Sequence, residues 1–157
     1  MGWGILSVIL LCAFALLLVS AGIEDVRKRE IANWKNAAIA LLAPLWWAAS
    51  GLSLWPGVPI QLALAAIVFG LFVAAFALGQ MGGGDVKLIG AVALWLPFQP
   101  LMWMLVAMSL IGGALTLLMI VERWLLRKQA ALEIPYGVAI VAAALFALRE
   151  PILNRFG

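Results

Sequence analysis

Histidine is absent from this 157-residue chain, cysteine occurs once (Cys12), and aspartate occurs only twice, as Asp25 and Asp85. Without histidine there is no Ser-His-Asp triad, no Cys-His dyad, no HExxH zinc site and no histidine-ligated haem. A lone cysteine excludes an internal disulfide and a CxxC zinc or iron–sulfur centre. No metal site and no cofactor is expected. Charge is scarce too, at 11% of residues against about 25% in an ordinary soluble domain. What fills the space is apolar: 67% of residues are hydrophobic, against about 45–50%. A core of this size cannot hide so much apolar surface, so the composition excludes a soluble globular enzyme and makes the bilayer the solvent. Any catalysis falls to carboxylates, lysines or hydroxyls.

Stretches long enough to cross about 30 Å of hydrocarbon are read at residues 3–23, 36–54, 60–80, 101–121 and 135–148. A shorter run at 85–96 rises about 18 Å as a helix and is counted as a fourth span in chain order, tilted or started below the surface. The expected fold is all-α, a six-helix polytopic bundle forming one domain over residues 1–157. The first span is read as a retained helix, because its positive charges follow it, the reverse of a secretory signal. Eight of the ten basic residues fall in the first, third and fifth loops: Arg27, Lys28, Arg29, Lys35, Lys87, Arg123, Arg127 and Lys128. The positive-inside rule then puts these loops in the cytoplasm and both termini outside. The net charge of +3 therefore reports orientation, and no basic face for nucleic acid exists. Trp3, Trp55, Trp95 and Trp103 are expected at the outer interface, and Trp34 and Trp124 at the inner one. Trp46 and Trp47 are read as packing residues, as are Cys12 and the alanines of the third span (Ala63, Ala65, Ala66, Ala74, Ala75, Ala77).

Asp25 closes the first span and Asp85 opens the fourth. Two crossings separate them, so both return to the cytoplasmic end. Ionisable groups at membrane depth are expensive and mark function. Two carboxylates a few ångströms apart share one proton, so that one activates water while the other polarises a carbonyl. Taken singly, each has a plainer role: Asp25 in a solvated charged loop, Asp85 as a helix N-cap. The glycines before Asp85 do not make a phosphate loop, since neither a preceding strand nor the GxxxxGK[ST] spacing is present.

The segment from Asp25 through Arg27, Lys28 and Arg29 to Ile31 and Asn33 resembles the first aspartate motif of type IV prepilin peptidases. Gly82-Gly83-Gly84-Asp85-Val86-Lys87 resembles their second, GxGD, motif, and Ile134-Pro135-Tyr136-Gly137 is similar to the start of the last helix in the small members serving Flp (tight-adherence) pili. The resemblance implies an aspartic endopeptidase of the bacterial inner membrane, multi-pass, with its site facing the cytoplasm. Such an enzyme cuts a short basic leader after glycine from a prepilin or pseudopilin whose hydrophobic N-terminal helix stays in the bilayer. Asp25 and Asp85 match the catalytic positions, Gly82 and Gly84 the GxGD glycines, and Pro135, Tyr136 and Gly137 a segment near the site. Pro135 also suits a first helical position. Ala32 stands where the family usually has proline. Methyltransferase activity is not carried over, because the first loop lacks the paired CxxC motifs of the larger members.

Lys87 is read as influencing Asp85 or contacting lipid phosphate, and Asn33 as capping the second helix or orienting a carboxylate. Glu24 and Glu30 are read as attracting a basic leader or simply as solvated, while Ser109 and Thr116 are expected to bond backbone. The rival readings are a small proton- or cation-coupled transporter and a non-catalytic pilus-assembly subunit.

Overall fold

The computed structural model describes residues 4–127, 129 and 134–156, with side chains described up to Arg149. Trp3, Lys128 and Glu133, and the side chain of Arg155, lie outside the described residues. Six helices and no strand are present among the described residues: α1 (Ile5–Lys28), α2 (Asn33–Ser50), α3 (Gly57–Ala77), α4 (Gly83–Ala93), α5 (Phe98–Leu126) and α6 (Tyr136–Phe156). Three of them, α1, α3 and α5, are long and apolar enough to cross a membrane.

Several boundaries shift from those expected. Helix α1 continues through Asp25 to Lys28, so Asp25 is helical and the link to α2 shrinks to residues 29–32. Arg29 closes α1 in the left-handed region (φ 57°), its N–H returning to the Asp25 carbonyl. Helix α5 runs to Leu126, which takes Glu122 and Arg123 out of the fifth loop. Lys87 is likewise inside α4 and not in a loop. Pro135 sits one residue before α6 and not at its first helical position.

Helix α4 is the organising element. It packs against α2, α3 and α6, while α1 lies on α2 and α6, and α5 lies on α6. An eleven-residue helix ends deep in the bundle, where its last carbonyls need partners. Side chains from two neighbours supply them. Gln61 Nε2 donates to the carbonyls of Ala93 and Leu96, both at 2.8 Å, and Trp47 Nε1 donates to that of Leu94 at 2.7 Å. The chain then places Trp95 in the core, stacked on Phe14 (centroids 4.2 Å apart, planes 6° apart) and on Trp46. Its Nε1 reaches the Ile39 carbonyl at 2.8 Å. Trp95, expected at the outer interface, is thus a buried packing residue, turned inward past the end of α4. Trp55, Trp103, Trp34 and Trp124 are exposed.

Two packing expectations are corrected. Cys12 faces outward from α1. In α3 only Ala65 of the named alanines is buried; Ala75 is half-buried and the other four face out. Ser109 and Thr116 bond the carbonyls of Leu105 (2.8 Å) and Gly112 (2.7 Å), as a hydroxyl in an apolar helix must.

Candidate active site

Helix α1 ends on an apolar face that places Leu18, Ala21, Gly22 and Asp25 in the interior. Asp25 is only 4% exposed. Its Oδ2 accepts the N–H of Val138 at 3.2 Å, and the N–H of Gly137 is also directed at the carboxylate. Both donors belong to the first turn of α6, where the Val138 N–H also reaches the Pro135 carbonyl at 3.1 Å, so Asp25 caps that helix from 113 residues away, in the field of its N-terminal dipole. The contact requires glycine at 137: a Cβ there would fall 2.7 Å from both Cγ and Oδ2 of Asp25.

Asp85 is 9% exposed and occupies the first turn of α4. Gly82, not Asp85, is the N-cap of this helix, which begins at Gly83. Asp85 therefore stands at the third helical position, with its Oδ2 folded back beside Gly82. A Cβ at Gly82 would sit 3.2 Å from Asp85 Oδ2, and one at Gly84 would sit 3.5 Å from the backbone nitrogen of Ile31. The tight position is Gly82, beside the carboxylate itself, while the distance at Gly84 is ordinary contact between the entry of α4 and the α1–α2 link. Helix α4 packs against α6, whose first turn holds Asp25, and its entry lies against the link that follows Asp25. Two buried carboxylates, each held by a helix N-terminus, converge at one end of the bundle.

A comparison with known protein families identifies the chain at the level of its family. A model of the type IV leader peptidase family matches residues 12–117, more than half of the chain and both aspartates. The chain belongs to the type IV leader peptidase family. No curated protein and no solved structure matches it. Residues Pro135, Tyr136 and Gly137 lie beyond the family match, so their place beside the site rests on the contact between Gly137 and Asp25.

Not every candidate residue of this leader-peptidase chain gathers at the pair. Tyr136 turns away from Asp25 and lies against Gly112 of α5, where a Cβ would be 3.5 Å from its ring. Lys87 is two residues past Asp85, about 200° around a helix, and donates to Asn33 Oδ1 at 2.9 Å. It thus neither pairs with Asp85 nor leaves Asn33 to orient a carboxylate. Asn33 is the first residue of α2, whose N-cap is Ala32 with no side-chain cap. Both line a groove of about 520 Å³ bordered by α2, α3 and α4. Glu24 is not a free attractor for a basic segment: it holds Lys35 at 2.8 Å and Lys28 at 3.7 Å. Glu30 is exposed.

Sequence reading passed over Lys35, Asn36 and Gln61, all buried. The available signal was their polarity inside otherwise apolar helices, since a polar group in such a place needs a partner. Among the described residues, no group of three or more Asp, Glu, Cys or His side chains is placed to hold a metal ion.

Proposed function

We propose that this leader peptidase is an aspartic endopeptidase of the bacterial inner membrane that removes the short basic leader of an Flp-type prepilin after its glycine. The observation that carries the reading is the convergence of the only two aspartates of the chain, both buried, at the N-termini of α6 and α4. Asp25 and Asp85 share one proton. The ionised partner takes a proton from water, whose oxygen attacks the scissile carbonyl; the protonated partner donates a hydrogen bond to that carbonyl and then a proton to the leaving amine. No histidine or metal is required by this sequence of steps. Deep burial strengthens each of these interactions and leaves little competing solvent.

All six helices, the short α4 included, cross or enter the bilayer in this reading. Asp25 and Asp85 face the cytoplasm, and both termini lie outside. The prepilin's hydrophobic helix stays in lipid beside the bundle. A cleft of about 530 Å³ bordered by α3 and α5 supports that placement. It is lined by Met81 and Tyr136, the chain neighbours of Gly82 and Gly137, so it opens next to the residues that touch the two aspartates.

Co-expression with candidate prepilins, followed by the mass of the pilin, tests the reading. Asp25→Asn and Asp85→Asn are each expected to reduce leader cleavage by about 10³-fold or more while the protein still inserts. Retained cleavage by either variant in reconstituted membranes would refute the mechanism. Proton flux through liposomes without any peptidase activity would instead point to a transporter.

A further inference from the structure

The first turn of α2 touches the surroundings of both aspartates. Lys35, 8% exposed, extends its ammonium to Glu24 Oε2 at 2.8 Å and to the Ser20 carbonyl at 3.2 Å, both on the last turns of α1. Glu24 Oε2 also accepts the N–H of Ala32 at 3.1 Å, a bond that only a residue with a backbone N–H can make. The end of α1 carrying Asp25, the link at 29–32 and the start of α2 are therefore tied into one cluster. The next residue, Asn36, is 5% exposed and points elsewhere. Its Nδ2 donates to the Gly84 carbonyl at 3.3 Å, immediately before Asp85, and its Oδ1 is buried without a hydrogen-bond partner. Adjacent helical residues diverge by about 100°, so one rigid turn reaches α1 with one side chain and the entry of α4 with the next.

We propose that this turn is the spacer that sets the separation of Asp25 and Asp85, with Lys35 and Asn36 as positioning residues. The proposal rests on the reading of the two aspartates as the catalytic pair. Its physical basis is that the partly buried Lys35–Glu24 ion pair adds little net stability over apolar residues of the same shape, yet ties the start of α2 to the end of α1. Asn36 keeps an unmet acceptor in an apolar setting, a burden that packing alone would not require. A carboxylate pair must stay within a few ångströms to share a proton, and misplacement by about 1 Å can reduce turnover by about 10²-fold.

Two measurements on the full chain in proteoliposomes test it. The first is the kinetics of prepilin cleavage by Asn36→Leu and by Glu24→Gln combined with Lys35→Met, which leaves an acceptor for the Ala32 N–H. The expected result is a fall in kcat of about 10- to 100-fold with KM unchanged and the thermal transition in detergent not lowered in proportion. The second needs no activity: Asp25→Cys with Asp85→Cys in a Cys12→Ala background, cross-linked by a short thiol reagent. Cross-linking is expected to proceed readily in that parent and several-fold more slowly once Asn36→Leu and Lys35→Met are added. Unchanged kcat and unchanged cross-linking would overturn the proposal, as would a rise in KM alone, which would make the turn a substrate contact. A chain that cleaves no prepilin but whose cross-linking still depends on Lys35 and Asn36 would refute the proposed function and leave the spacer standing.

Discussion

Helices α3 and α4 pack against one another but follow opposite rules. α3 has 21 residues, carries no charge, and buries only Gln61, Ala65 and Val68. α4 has 11 residues and buries seven of them, Asp85 included, against three neighbouring helices. The more apolar helix is the more exposed one. Apolar contact between helices has little driving force when the solvent is itself hydrocarbon, so packing and internal hydrogen bonds decide what goes inside. Polar side chains accordingly hold α4 in the interior: Gln61 and Trp47 close its end, while Asp85 folds back to its beginning.

The contrast can be tested from its strongest consequence downward. Gly137→Val puts carbon where the Asp25 carboxyl lies, a contact of 2.7 Å already at Cβ. It is expected to lower kcat for leader cleavage by about 10²-fold, and near-normal turnover would mean that Asp25 is not held against α6. On the outer face of α3, Ile67 is 70% exposed. Placing an acid there by Ile67→Asp is expected to cost about 2.5–3.5 kcal/mol in a membrane-insertion assay; insertion at the wild-type level would break the reading of α3 as lipid-facing. Gln61→Leu removes the donor to the carbonyls of Ala93 and Leu96. The loss should be about 1–3 kcal/mol of stability by unfolding in mild detergent, although the change makes α3 still more apolar. Leu71→Ala, on an exposed position of α3, should stay within about 0.5 kcal/mol. A larger loss would place that face in a packed interface.

Much of the fold was legible in the chain because hydrophobic length is a local property. Every span read between residues 3 and 148 has its helix, including the short fourth one. The pair of aspartates was legible for a related reason: two helices, α2 and α3, lie between them and return the chain to the same end of the bundle. Trp95 was misread because its sequence position beside Pro97 looks like an interface. The depth at which α4 stops is set by Gln61 and Trp47 from other helices. Of the two roles read for Lys87, the one toward Asp85 has no contact behind it, because two residues' separation on a helix points side chains apart.

By itself, then, the sequence determined that the chain is helical and apolar, that histidine chemistry and an internal disulfide are excluded, and that Asp25 and Asp85 come to one end. Each of these follows from composition or from the counting of crossings. Only the tertiary structure decided that Asp25 caps α6 and that Gly137 must lack a side chain. It also decided that Glu24 is occupied by Lys35, and that Lys35 and Asn36 tie α2 to the surroundings of both aspartates. Those contacts join residues up to 113 positions apart. Their partners are chosen by which helix faces meet, and no local pattern along the chain encodes that.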